Sequence, residues 1–312
     1  RMVRYCLKRI GMAVITVIII IVILLCLLKL MPGSPFNNER LTEDQRVVLY
    51  EKYGLDKPLP EQIIIYIKNM LTGDFGVSYN IQQNYPVSQL IANRYPITIR
   101  IGLEAYVIGV LFGLILGVIA ALHHNSPIDT GTTVFAMIGN SIPSQVLSLA
   151  FVYFLAYKAG LFPLTYNSSD PVRSSILPIL ALAIAPMAMT ARFTRNEMIE
   201  VMGSEYILLA ECKGVQRMKV VFLHGLKNTL VSLITTLGPM VMGLLTGSTV
   251  AEQIFAIPGI GSLFIKAIQT NDYNVVISLA FIFSIMFIGI ILAIDLLYGV
   301  IDPRIRLAGG KK

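Results

Sequence analysis

Residues Ile10–Leu28 read IGMAVITVIIIIVILLCLL, 19 residues without a charge. A helix that crosses a bilayer needs roughly 20 mostly apolar residues, because lipid offers the backbone no hydrogen-bond partners. The stretch therefore predicts a membrane-spanning helix. Arg4, Lys8 and Arg9 precede it and mark its start as cytoplasmic. The apolar run is longer than the core of a secretory signal and has no clear small-x-small exit, so it is expected to be retained. Met2 is expected to be the native start, with Arg1 an addition before it.

Working outward, five more apolar stretches follow: Ile97–Leu122, Thr132–Tyr157, Ser174–Ala191, Asn228–Val250 and Asn274–Ile294. Pro178 and Pro186 are expected to break the fourth, which is short. Gly109, Gly113 and Gly117 in the second would allow close helix packing. The bulk composition agrees: 55% of the 312 residues are hydrophobic and 14% charged, against about 25% charged in soluble domains. Trp is absent, so Tyr and Phe must take the interfacial aromatic role. Cys6, Cys26 and Cys212 are far apart in sequence and read as reduced and structural.

Lys and Arg set the orientation. They gather in the N-terminal tail, in the connection 192–227 (Arg192, Arg195, Lys213, Arg217, Lys219, Lys227) and in the C-terminal tail (Arg304, Arg306, Lys311, Lys312). Six spans put all three on one side, the cytoplasmic one. The net charge of +7 then reflects cytoplasmic ends and not nucleic-acid binding. The expected fold class is an all-α integral membrane protein with six transmembrane helices and both termini cytoplasmic. Its divisions are residues 1–30 (tail and first span), 31–95 (an outer loop), 96–303 (a core of five spans) and 304–312 (a cytoplasmic tail). In the outer loop, Thr42 and Gln45 form a capping-box pattern, and a helix over Glu61–Leu71 ends near Gly73.

The chemistry that is missing narrows the function. The chain has no G-x-x-x-x-G-K-[ST], H-E-x-x-H or G-x-S-x-G, so it carries no phosphate loop, zinc-protease helix or nucleophile elbow. His123 and His124 are adjacent, point apart on a helix and suit solvated or satisfied roles better than metal binding. The acids read as lying near span ends are Glu104 and Asp295, which fit helix-end roles better than proton coupling. No catalytic, cofactor or metal site is expected.

The most informative segment is Gly203-Ser204-Glu205-Tyr206-Ile207-Leu208-Leu209-Ala210-Glu211-Cys212-Lys213-Gly214-Val215. Ser204 suits an N-cap, Glu205 a first turn, Lys213 a last turn and Gly214 the C′ position. A short, punctuated cytoplasmic helix is predicted; spacing alone leaves open whether it docks a partner or packs under the bundle.

This run resembles the loop of bacterial ABC importer permeases that docks into the ATPase subunit, in the form used by the oligopeptide/dipeptide (Opp/Dpp B-type) branch. Tyr206, Ala210, Lys213 and Gly214 match D-Y-V-x-x-A-R-A-K-G, Glu205 and Ile207 are conservative, and Glu211 and Cys212 differ. Other marks follow in order: Tyr53–Leu59, Gly73-Asp74-Phe75-Gly76, Ile142-Pro143-Ser144, Leu177-Pro178 and His224–Asn228. Glu252, Phe255, Pro258-Gly259 and Gly261 come next, then Asp295, Tyr298 and Asp302-Pro303-Arg304.

The resemblance implies the type I ABC importer permease (MetI-like) fold in the bacterial cytoplasmic membrane. Its expected partners are a homologous second permease, two cytoplasmic ATPase subunits that use ATP and Mg, and an extracellular or periplasmic peptide-binding protein. Glu205, Tyr206, Ala210, Glu211, Lys213 and Gly214 form the ATPase-coupling helix in this reading. Pro143, Ser144 and Gln145 are candidates for the translocation path, although packing against a neighbouring helix is the rival for Gln145. Oligopeptides are the expected cargo, supported by Met31-Pro32-Gly33-Ser34-Pro35. Dipeptides, glutathione and nickel chelates are alternatives within the family. An ion-coupled transporter or an intramembrane hydrolase would need buried groups that are not evident.

Overall fold

The computed structural model describes residues 2–30 and 54–301, with Asp44, Val47, Val48, Tyr50 and Glu51. Thr42, Gln45, the Met31–Pro35 run, Tyr53 and the Asp302–Arg304 motif lie outside the described residues. So do the side chains of His224, Asn228, Pro239, Asp295 and Tyr298. Among the described residues the chain is almost wholly helical, and it divides into two compact units.

The first unit comprises residues 1–96 and 258–289. It contains α1 (Met2–Leu30), α2 (Leu59–Thr72), the start of α3 (Val87–Leu122), α10 (Ile260–Gln269) and the first part of α11 (Tyr273–Ile301). Prolines at its first turn start α2, where a missing N–H costs nothing, and Gly73 ends it at φ +77°. The Gly73 amide donates to Met70 and the Asp74 amide to Asn69, the paired bonds of a Schellman stop. Ile21 and Leu25 of α1 bury against Met70, with Ile63 and Ile67 beside them, whereas Ile64 and Leu71 stay exposed.

Asp272, fully buried, organises the loop after α2. Its Oδ2 accepts from the Ser78 hydroxyl at 2.5 Å and from the amides of Tyr79, Asn80 and Ile81 at 3.0 to 3.2 Å. Converging N–H donors of this kind compensate the cost of burying a carboxylate. Tyr66 of α2 donates to Asn274 Oδ1 at 2.9 Å, and burial pushes its phenol up to about 12.

The second unit comprises residues 97–257 and 290–312. Its centre is α6 (Pro171–Met202), started by Asp170, whose carboxylate accepts from the Arg173 amide. In α6, 67% of the most apolar window is buried, against 28% in α3, so α6 is the core helix and α3 a flank. Three glycines of α3 fit the two together. A Cβ on Gly109, Gly113 or Gly117 would lie 2.5 to 2.8 Å from atoms of α6, among them the backbone oxygens of Ala183, Met187 and Ala191. The expected close packing is thus made against α6.

Two expectations are corrected here. Pro178 and Pro186 do not break the fourth span: α6 is continuous for 32 residues and extends past Ala191 to Met202. Each proline removes one backbone bond, but neighbouring helices hold the chain in place, and the Pro186 ring sits over the notch at Gly109. Residues 192–202, read as connection, are therefore helix. The third span does bend at Pro143. It consists of α4 (Pro127–Ser141) and α5 (Ser144–Phe151), the latter continued by a π-helical stretch Val152–Lys158, with a bend of 98° between them. Extended backbone at Ile142 and Pro143 makes the corner, since Pro143 disfavours helix at the residue before it.

After α6 come α7 (Glu205–Cys212), a turn Arg217–Lys219 and a π-helical stretch Val220–Leu226. These lead into α8 (Lys227–Gly247) and α9 (Thr249–Ile254). Among the described residues α3, α6 and Tyr273–Ile294 are each long and apolar enough to cross a membrane. The bent pair makes a fourth.

Candidate coupling and translocation sites

The short helix α7 has the predicted punctuation. Gly214 sits at φ +76°, the Val215 amide donates to Ala210 at 3.2 Å and the Gly214 amide to Glu211 at 2.9 Å. This is a Schellman stop with Gly214 at C′. Ser204 occupies the N-cap position but does not cap through its side chain: its hydroxyl donates back to the Val201 carbonyl at 2.5 Å. Only Gly203 and Ser204 separate α7 from α6.

The helix has two faces. Ile207 and Ala210 are buried, packed with Val220, Met202 and Val215. Tyr206, Leu208 and Leu209 are 44%, 61% and 56% exposed, and Glu205, Glu211, Lys213 and Gly214 are exposed with them. Ala210 therefore anchors α7, whereas the other predicted coupling residues lie on its outer surface. Leu208 and Leu209 were not singled out in the sequence, although an apolar pair on a polar segment was the available signal.

At the 98° corner Pro143 and Gln145 are exposed, and Ser144 opens α5. Ser148, one turn on, is fully buried and donates to the Ser144 carbonyl.

Besides Asp272 in the first unit, sequence reasoning missed two buried acids in the second. Asp129 is held by Arg195 through a two-pronged pair: Nε reaches Oδ1 and Nη2 donates to Oδ2 at 2.8 Å. The Asn125 amide donates to Oδ2 at 2.9 Å, and His124 Nδ1 lies 3.1 Å from it. The carboxylate is 4% exposed, and the pair ties the first turn of α4 to α6 ten residues before α7 begins. Glu252 is 2% exposed and accepts from Thr98 at 2.7 Å and Ser248 at 3.2 Å. Glu252 is thus a buried acid beyond the pair expected. Glu104 lies in the middle of α3 and not at a helix end, because α3 begins ten residues before the apolar stretch; Arg100 lies 3.5 Å away, one turn back, and donates also to Pro171 and Ser175 on α6. His123 Nδ1 lies 3.0 Å from the Ile119 carbonyl, so His123 and His124 each have a partner, in line with the satisfied role expected of them.

Residues 113–307 match the family profile described as "Binding-protein-dependent transport system inner membrane component", and residues 2–102 match that of its N-terminal region. The chain belongs to this permease family. The dipeptide transport system permease protein DppB of Lactococcus lactis subsp. cremoris (strain MG1363) is 40% identical to the permease over 306 residues, 98% of this chain and 100% of the relative. The oligopeptide transport system permease protein OppB of Escherichia coli (strain K12) is 36% identical over the same shares. Among solved structures, an inward-facing MetNI methionine ABC transporter chain aligns with a TM-score of 0.55. The alignment has 18% identity and covers 69% of the permease and 97% of that chain. The fold is therefore the MetI-like importer fold, and the permease is a multi-pass membrane component of a binding-protein-dependent transport system.

Proposed function

We propose that this chain forms, with a homologous second permease, the peptide pathway of an ATP-driven importer in the bacterial cytoplasmic membrane. Six spans with both termini cytoplasmic place α7 toward two ATPase subunits and the 31–95 loop toward a peptide-binding protein. ATP and Mg act in the ATPases. The observation that carries this reading is the exposed face of α7: Tyr206, Leu208 and Leu209, framed by Glu205 and Glu211, stand outward on a helix that follows α6 after two residues and packs on Val220. An apolar patch with a charged rim fits a protein groove. Closure of the ATPases pushes α7, α6 turns with it, and the corner at Pro143-Ser144-Gln145 moves in the pathway.

Oligopeptides are the proposed cargo. Dipeptides are a second reading, favoured by the 40% identity to two dipeptide permeases against 36–37% to the oligopeptide ones. Affinity purification in mild detergent, with uptake of labelled di- and hexapeptides into proteoliposomes, tests both. Recovery of a second permease and two ATPases, with peptide-stimulated hydrolysis, is expected. The peptide length taken up separates the cargo readings. Recovery of this chain alone, with uptake that needs no ATP, overturns the proposal.

Gly214 gives a sharper test of α7. At φ +76° a side chain is strained by about 1–2 kcal/mol, more for a β-branched one, yet nothing lies within 4 Å of the added Cβ. Gly214→Val is therefore expected to leave the protein folded in the membrane. Transport per ATP hydrolysed should fall roughly tenfold, the effect of about 1.4 kcal/mol. Full coupling in that variant would remove α7 from the transmission path.

A further inference from the structure

A cavity of about 310 Å³ lies in the second unit between α3, α8 and the residues 290–294 of α11. Val110 and Leu114 of α3, Leu233 and Leu237 of α8, and Ile290 and Ala293 of α11 line it. Tyr106 supplies the one polar side chain, and its hydroxyl is already used, donating to the Leu237 carbonyl at 3.0 Å. We infer that this cavity is a binding site for one acyl chain of a membrane lipid.

Each competing occupant fails on a physical count. Water would find no partners, and cavities of this lining stay dry. Left empty, the cavity would forfeit dispersion contacts along all three walls. A peptide cargo would bury backbone N–H and C=O groups with nothing to bond, at a cost of several kcal/mol each. An acyl chain is a thin apolar thread without hydrogen-bonding groups. The volume is about twice the roughly 150 Å³ that holds a benzene.

The cavity also opens onto exposed apolar surface. Two of its walls reach the exterior, at Leu230, 37% exposed, and at Ala293. The neighbouring outer face of α3 exposes Val107, Leu111 and Ile115. Gly238 belongs to the lining, and a Cβ there would lie 2.8 Å from Ile294 Cδ1, so glycine keeps α8 and α11 close at the cavity wall. The inference needs only that these helices sit in a membrane; it does not depend on the cargo or the ATPases.

The test uses the complete complex reconstituted with a phospholipid carrying a diazirine in one acyl chain, with adducts mapped by mass spectrometry after illumination. Adducts on the lining residues within 230–241 and 290–294 are expected at least threefold above those on Val107, Leu111 and Ile115 of the outer face. Ala293→Phe, at the exposed mouth, should lower the cavity adducts at least threefold and leave those on Val107, Leu111 and Ile115 unchanged. Val110→Phe fills the cavity from the opposite wall and serves if the first variant misfolds. Cavity labelling no higher than on these three outer residues, labelling insensitive to both fillings, or cross-linking of the lining residues to the second permease in place of lipid would each overturn the assignment.

Discussion

Replacing Asp129 with alanine is expected to cost about 3 kcal/mol of stability and to abolish most coupled transport. The carboxylate is 4% exposed and satisfied by the Arg195 guanidinium and the Asn125 amide. Removing it leaves Arg195, with 22% of its side chain exposed, enclosed without its counter-charge. Breaking a buried pair from one side costs about 3–5 kcal/mol, and the partial exposure of Arg195 puts this case at the lower end. The second consequence is mechanical. The pair joins α4, which runs to the Pro143 corner, to α6, which runs to α7. Without it, α4 keeps its packing on α6 at Gly139 but loses its tie to α6 at its first turn, so displacement of α7 should reach α4 less fully.

A double-mutant cycle with Arg195→Gln measures this, using thermal unfolding in detergent and transport per ATP. The two substitutions together should cost little more than either alone, with a coupling energy of about 1.5 kcal/mol or more. Strict additivity would show that the pair acts as two independent surface charges.

Gly117→Val should be more damaging still, and for a steric reason. The nearest atoms to a Cβ at this position are Thr194 Cβ at 2.5 Å and the Ala191 carbonyl oxygen at 2.7 Å. A flexible side chain could swing away, but a backbone carbonyl moves only if α6 moves, and α6 is the central helix of its unit. Overpacking of this kind typically costs about 1–3 kcal/mol and here forces two helices apart, so loss of most folded protein is expected. Gly131→Ala is the matched control: nothing lies within 4 Å of its Cβ, and removing a helical glycine should stabilise by about 0.5–1 kcal/mol. Monodisperse yield in detergent reads out both variants. An unchanged yield for Gly117→Val would mean that α3 and α6 do not pack as described.

Features that depend on a few consecutive residues were legible without the structure. The stops at Gly73 and Gly214 follow from glycine's access to positive φ, and both are Schellman ends in the fold. The apolar stretches fall on helices because lipid and helix impose a local rule on each segment. The stretch around Ser204–Val215 was read correctly as a helix stopped at Gly214, but Ser204 does not cap it through its side chain, and its outward face, with Leu208 and Leu209, needed the packing of Ile207 and Ala210 to be known first.

What stayed hidden joins residues distant in sequence. Arg195 and Asp129 are 66 positions apart, Thr98 and Glu252 are 154, and Ser78 and Asp272 are 194. No local pattern announces such a partner, because an acid destined for burial looks like an acid at a span end. The prolines carry the same lesson. Pro143 and Pro186 are chemically identical, yet one marks a 98° corner and the other lies inside an unbroken helix. The sequence by itself determined which segments are helical and apolar, since those preferences are paid within a few residues. Tertiary structure decided which helix became the core, which proline bends the chain and which charges meet, because burial against a neighbour outweighs a single lost backbone bond.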